Sequence, residues 1–215
     1  MIQSEDTTIV IDAGPDFRQQ MLSENVEKLD AILITHEHRD HIGGMDDVRA
    51  FNYLTRKAVD IYCDERVMKY VRREYPYAFA EKKYPGSPHM NLIAVNDKDF
   101  IIKNIDIQPV KVCHYRLSIL AYRIGSFAYI TDANEISEKS MESLHGLKYL
   151  VINALRKEKH ISHFTLSEAL DVIRKLSPEK AFITHISHQM GIYSDICKEL
   201  PDNVILAYDG LSIEI

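Results

Sequence analysis

No apolar run in the 215-residue chain approaches the about 20 residues that a membrane-spanning helix needs, so no membrane partner is expected. The opening residues Met1-Ile2-Gln3-Ser4-Glu5-Asp6 lack a basic region followed by an apolar one, so they do not read as a secretion signal. Cysteine is scarce: Cys63, Cys113 and Cys197 are scattered and form no CxxC pair. They cannot build a disulfide framework and are expected to be reduced core residues of a cytoplasmic protein. Positive charge is not in excess either. A net charge of -6 gives no overall pull toward nucleic acid or anionic membranes, and bound divalent cations would offset part of it locally. No internal repeat recurs at a fixed period. What remains is 46% hydrophobic and 27% charged, the composition of a globular chain. Its length predicts a single domain, residues 1–215, with a loop or insertion at 75–89.

Against that background one stretch stands out: Ala31-Ile32-Leu33-Ile34-Thr35-His36-Glu37-His38-Arg39-Asp40-His41-Ile42-Gly43-Gly44. The short apolar run predicts a buried strand, and it stops abruptly at three histidines and an aspartate within six residues. His36 and His38 share a face at spacing two, whereas the adjacent Asp40 and His41 would point to opposite sides on a strand. One metal cannot easily take all four, but two neighbouring metals can. Imidazole and carboxylate donors suit zinc, manganese or iron.

In chain order, Thr7–Ile11 predicts a strand, Asp16 a cap for a helix through about Ser23, and Ala31–Ile34 the strand just described. Gly44–Leu54 predicts a helix with Met45, Val48, Phe51 and Leu54 as one buried stripe. Val59–Cys63 is a strand, and Asp64 caps a helix through about Glu74. Residues 75–89, YPYAFAEKKYPGSPH, show no periodicity and read as a loop of the kind that often lies over sites. Strands follow near Asn91–Val95, Phe100–Lys103, Ile105–Cys113, Ser118–Ile124, Phe127–Thr131, Tyr149–Asn153 and Ala181–Thr184. Helices are expected over Ile136–His145, Leu166–Leu176 and Tyr193–Leu200. A closing pair, Val204–Ala207 with Leu211–Ile215, ends the chain. The order suggests two sheets packed face to face and covered by helices. His114, Asp132 and His185 each directly follow an apolar strand, as the opening histidines do, which makes them further candidate ligands.

Thr35-His36-Glu37-His38-Arg39-Asp40-His41 resembles the THxHxDH motif of the metallo-β-lactamase fold superfamily. The resemblance implies an α/β fold, a four-layer αββα sandwich of two mixed β-sheets flanked by helices. It also implies two divalent metal ions, zinc or manganese by donor type. His36, His38 and His114 would hold one, Asp40, His41 and His185 the other, and Asp132 would bridge them. Asp12, before Ala13-Gly14, matches the position that braces the motif loop. Ile42–Asn52 and Thr184–Met190 resemble stretches of PhnP-type cyclic phosphodiesterases. His163-Phe164-Thr165-Leu166-Ser167-Glu168-Ala169 resembles an element that these share with ribonuclease Z, whose histidine faces the scissile phosphate. His163 is therefore the candidate catalytic histidine, and His160 the weaker one.

The activity so implied is a metal-dependent phosphodiesterase acting on a small cyclic or diester phosphate. A hydroxide shared by the two metals would attack, since a metal can lower the pKa of bound water from about 15.7 to near 7. Asp40 would orient the hydroxide, and His163 would stabilise the transition state or protonate the leaving oxygen. Two alternatives stand beside it. One is a ribonuclease Z-like nuclease, with only the cluster Arg72, Arg73, Lys82 and Lys83 to favour nucleic acid. The other is a catalytically impaired, metal-poor binding domain. Family members usually begin with an extra strand. Its absence here would expose an edge on which a homodimer can form. Some members hold a structural zinc through early cysteines and a histidine matching His188; those cysteines are missing, so no such zinc is expected.

Overall fold

The computed structural model describes residues 1–214. They divide into two compact units that meet in sequence at Ile105 and Asp106, each with its own sheet and apolar core.

The first unit contains β1 (Ile2–Gln3), β2 (Thr8–Ile11), α1 (Phe17–Ser23), β3 (Ala31–Leu33), α2 (Arg39–Ile42), α3 (Arg49–Thr55), β4 (Val59–Cys63), α4 (Glu65–Glu74), β5 (Met90–Ala94) and the short β6 (Phe100–Ile102). Its sheet has the order β1-β2-β3-β4-β5. β1 is antiparallel to β2, with Ile2 opposite Ile9. The other pairs are parallel, with Ile9 opposite Ala31, Ala31 opposite Asp60 and Val59 opposite Met90. Parallel neighbours need crossover connections, which the helices supply. Side chains alternate along β3, and its residues are fully buried on both faces. Ile32 and Ile34 pack in a cluster with Phe17, Phe51, Val67 and Val71. Burying a side chain of this size contributes about 1.5–3 kcal/mol, so the strand that delivers the histidines is firmly anchored.

The second unit contains β7 (Ile105–His114), β8 (Leu117–Ile124), β9 (Phe127–Ile130), α5 (Glu138–Ser143), β10 (Tyr149–Asn153), α6 (Leu166–Leu176), β11 (Lys180–Thr184), α7 (Tyr193–Glu199) and β12 (Val204–Leu206). The strand order runs β12-β11-β10-β9-β8-β7. The pairs β7–β8 and β8–β9 are antiparallel, and the pairs from β9 to β12 are parallel. Both sheets are thus mixed. The capping box of α6 is closed at both ends: the Thr165 hydroxyl accepts from the Glu168 amide at 3.2 Å, and a Glu168 carboxylate oxygen accepts from the Thr165 amide at 2.9 Å. Leu166, Ala169, Ile173 and Leu176 on its inner face join the core.

Four expectations need correction. Met45, Val48 and Phe51 are buried, but Leu54 is 66% exposed. The segment begins as a 3-10 turn, Met45–Val48, before α3. Three-residue spacing stacks on a 3-10 turn but drifts around an α-helix, so the stripe rotates out of the core by Leu54. Residues 211–214 form no strand, and Ile215 lies outside the described residues. Cys63 is buried, its thiol pushed up to about 12 by burial, then by Asp64, but Cys113 is half-buried and Cys197 exposed. Asp16 stands at the start of α1 without a side-chain capping bond. One element was not expected: Ile2–Gln3 supplies a two-residue antiparallel strand beside β2. Residues 75–89 include a 3-10 turn, Pro76–Ala78. Tyr75 donates from its hydroxyl to the Ile42 carbonyl at 2.6 Å, fastening this segment to the histidine stretch.

Asp30 sets the entry to β3. Its carboxylate accepts from Lys103 Nζ at 2.5 Å and from the Thr8 amide at 2.9 Å. Burial works to raise its pKa, but Lys103 and the Thr8 amide outweigh it and hold the carboxyl below its ordinary value. A depressed folded-state pKa means stabilisation that is present above the unfolded value of about 3.9 and lost as pH falls through the lower folded one. Asp30→Asn is therefore expected to lower the melting temperature at pH 7 more than at pH 3. An equal loss at both would count against this ion pair.

Candidate metal centre

In the first unit the motif loop is reoriented by two backbone changes. β3 ends at Leu33, and His38 keeps an extended backbone as the residue before α2. α2 then carries Asp40 and His41. His36 and His41 are buried. His36 Nε2 lies 2.9 Å from His38 Nδ1, and His41 Nε2 lies 3.3 Å from an Asp40 carboxylate oxygen. The His36 and His41 rings are 4.1 Å apart at their centroids.

Asp12 ties this half together. One of its carboxylate oxygens accepts from the Thr35 amide at 2.8 Å; the other accepts from the Thr35 hydroxyl at 2.8 Å and from His41 Nδ1 at 2.7 Å. Because His41 Nδ1 donates its hydrogen bond to Asp12, the lone pair of His41 lies on Nε2. The Thr35 hydroxyl, having donated to Asp12, accepts from His36 Nδ1 at 3.0 Å, which leaves the lone pair of His36 on Nε2. Asp12 itself holds φ +62, in the left-handed region. The brace needs close backbone approach. A Cβ on Gly14 would sit 2.4 Å from the Asp40 carbonyl oxygen, and one on Gly44 would sit 2.1 Å from the Gly14 carbonyl oxygen.

In the second unit His114 is the last residue of β7 and is buried. Its Nδ1 lies 2.6 Å from the Asp132 carbonyl and 3.0 Å from the Ser162 carbonyl. A carbonyl can only accept, so Nδ1 carries the proton and Nε2 the lone pair. Asp132, just beyond β9, and His185, just beyond β11, hold φ +58 and +53. Asp132 Oδ1 lies 3.2 Å from His185 Nδ1, and Oδ2 lies 3.3 Å from His163 Nε2. Asn153, at the end of β10, grips the turn through both main-chain groups of Ala133, at 2.7 and 2.9 Å.

His163 lies among these residues. It stacks on His185 at 5.0 Å and meets His114 edge-on at 4.8 Å. Its Nδ1 is 3.0 Å from the Ser162 hydroxyl and 3.1 Å from His160 Nδ1. Burial, then the neighbouring His163, Arg156 and His114, lowers the pKa of His160.

The donor atoms fit divalent transition metals. His36 and His38, Asp40 and His41, His114 and Asp132, and Asp132 and His185 each offer ligand atoms within 4.8 Å of one another. Two nitrogens bound to one zinc at about 2.0–2.1 Å lie about 3 Å apart, which matches His36 and His38. Three histidines already have their other ring nitrogen fixed by acceptors of the chain, as ligating histidines do. Sequence reading named these candidate donors and Asp12. It missed Thr35, Ser162 and Asn153 as orienting residues, and the ion pair of Glu37 with Arg66 Nε at 3.1 Å. Only Thr35, inside the motif, carried a signal.

Two mixed β-sheets with helices, and histidine and aspartate gathered beyond their strand ends, are features of the metallo-β-lactamase fold. Residues 7–186 match the family described as Beta-lactamase superfamily domain, and the chain belongs to it. It is similar to a diphosphatase of the PhnP family, 35% identical with a TM-score of 0.90, over 97% of this chain and 80% of that one. It is 37% identical over 205 residues to octanoyltransferase of Porphyromonas gingivalis, 94% of this chain but 41% of that protein. It is 29% identical over 151 residues to exodeoxyribonuclease WalJ of Streptococcus pneumoniae, 64% of this chain and 51% of that protein. The chain thus spans about half, or less, of these two relatives. Among the described residues no helix is long and apolar enough to cross a membrane.

Asp12→Ala is expected to weaken zinc binding about 10–100-fold, read by competition with a chelating dye, with the circular dichroism spectrum unchanged. Unaltered affinity would remove Asp12 from the support of His41.

Proposed function

We propose that the chain is a metal-dependent phosphodiesterase acting on a small cyclic or diester phosphate in the cytoplasm, with both units serving as one functional domain. The observation that carries this reading is the 35% identity to a PhnP-family diphosphatase over 80% of that chain. The tautomers fixed at His36, His41 and His114 support it. In this reading, following the family's motif, His36, His38 and His114 would hold one ion and Asp40, His41 and His185 a second, with Asp132 contributing to the centre. Zinc or manganese on such donors would supply positive charge for a phosphoryl oxygen and a water activated near neutral pH.

The chain's own residues do the rest. Asp40 has an exposed carboxylate, able to orient an attacking water. His163 Nε2, held toward Asp132, donates a hydrogen bond to a phosphoryl oxygen or a proton to the leaving oxygen. Ser162 and His160 fix the His163 ring from behind. Asp12, through Thr35 and His41, keeps the motif loop in register with β3.

A nuclease is the second reading, favoured by the likeness to the exodeoxyribonuclease and opposed by the net charge of -6. Acyl transfer, named for the Porphyromonas protein, belongs to a chain more than twice as long and is not assigned here. His163→Ala is expected to lower kcat on a chromogenic phosphodiester by about 10²-fold or more at normal metal content. Asp40→Ala is expected to lose metal and turnover together. Full activity in Asp40→Ala would sink the two-metal reading. Turnover of single-stranded DNA or RNA but of no small diester would shift the assignment to the nuclease.

A further inference from the structure

The first unit carries a second concave region that the proposed hydrolysis does not use. The 75–89 segment, α3 and the turn after it line it. One part, about 200 Å³, is lined by Arg49, Tyr53, Arg56, Lys57 and His89 among others, and by no carboxylate. The adjoining part, about 540 Å³, shares Arg49 and Tyr53 and adds Tyr77 and Tyr84. Its one carboxylate, Asp46, is engaged by the Tyr77 hydroxyl at 2.5 Å and by Arg49 at 3.6 Å. No side-chain hydrogen bond or ion pair engages the Arg56 guanidinium or the Lys57 ammonium among the described residues. In a chain of net charge -6, three cations on one concave wall are a local reversal of sign.

The walls are held in place. Asn52 donates from its side-chain amide to the Lys57 carbonyl at 2.8 Å and to the His89 carbonyl at 3.0 Å, and accepts from the His89 amide at 2.8 Å. This one side chain locks the turn that carries Arg56 and Lys57 against the end of the 75–89 segment. Gly86, at φ +91, brings its backbone close to Tyr53; a Cβ there would lie 3.2 Å from the tyrosine hydroxyl. The aromatic half is open: Tyr53 is 58% exposed, Tyr77 43% and Tyr84 80%.

We propose that this cleft binds a nucleoside phosphate, with Arg56, Lys57 and Arg49 on the phosphates and the tyrosines against the base. Arginine and lysine give charge-assisted hydrogen bonds to phosphate oxygens, and a base stacks on an exposed ring whatever its sequence. The two adjoining cavities, about 200 and 540 Å³, leave room for a mononucleotide. The site is distinct from the candidate metal ligands and does not rest on the hydrolytic reading.

The test is calorimetric titration of the purified chain with ADP, adenosine and inorganic phosphate. ADP is expected to bind more tightly than either fragment. Arg56 has φ +59, a conformation that asparagine tolerates, so Arg56→Asn with Lys57→Gln removes both charges with little strain. That double variant is expected to weaken ADP binding at least about tenfold at an unchanged melting temperature, and Tyr53→Ala to weaken ADP but not phosphate. Asp40→Ala, which addresses the metal centre, is expected to leave ADP binding intact. Equal ADP affinity in the double variant, loss of binding in Asp40→Ala, or no binding at about 1 mM ADP would overturn the proposal. So would tight binding of a single-stranded oligonucleotide without binding of ADP.

Discussion

The carboxylate of Asp12 is the point on which the motif loop depends. It accepts three hydrogen bonds, two from Thr35 and one from His41, and through them decides where β3 ends and which nitrogen of His41 faces outward. A carboxylate only 10% exposed is costly unless so satisfied. Here the cost is offset by donors that the motif itself provides. Gly14 and Gly44 are the steric counterpart. The loop after β2 and the turn after α2 touch through backbone, with the Gly44 amide donating to the Ala13 carbonyl at 2.8 Å and the Ala13 amide to the His41 carbonyl at 2.7 Å. Side chains at either glycine would push the brace apart.

The second unit, like Asp12 in the first, uses left-handed backbone to aim its candidate ligands. Asp132 and His185 follow their strands in left-handed conformations, which cost of order 1–3 kcal/mol each where the surroundings must enforce them. Asn153 and the parallel ladder β9-β10-β11 provide that enforcement. Asp and His tolerate this region better than most residues, so the residue types that a metal needs are also those that the turns accept. His114 and His163 are fixed by hydrogen bonds instead, His114 to two carbonyls and His163 to Ser162.

Much of this was legible in the sequence because the strands end where ligand types begin. The apolar run Ala31–Ile34, the histidine cluster after it, and the same grammar at His114, Asp132 and His185 pointed to the candidate donors, which lie near one another within each unit, and to most strand positions. The apolar spacing within Leu166–Leu176 marked α6. What stayed hidden depended on partners distant in sequence. Nothing local to Asn153 or Ser162 announces that its side chain or carbonyl orients a ligand on another strand. Leu54 was misplaced because periodicity alone does not reveal a 3-10 turn ahead of an α-helix. The two-residue β1 is too short to leave a pattern.

Family membership, fixed ring tautomers and strained strand ends converge on a chain organised to present imidazole and carboxylate to metal ions. The cationic, tyrosine-lined cleft beside α3 adds a binding surface of different chemistry to the same unit. The proposal on which the rest depends is that the seven candidate donors would hold two ions. Elemental analysis of zinc- or manganese-reconstituted protein after desalting tests it most directly. The account predicts two ions per chain, and loss of binding at both positions in Asp132→Ala. A single ion per chain, or two ions undisturbed by Asp132→Ala, would contradict it.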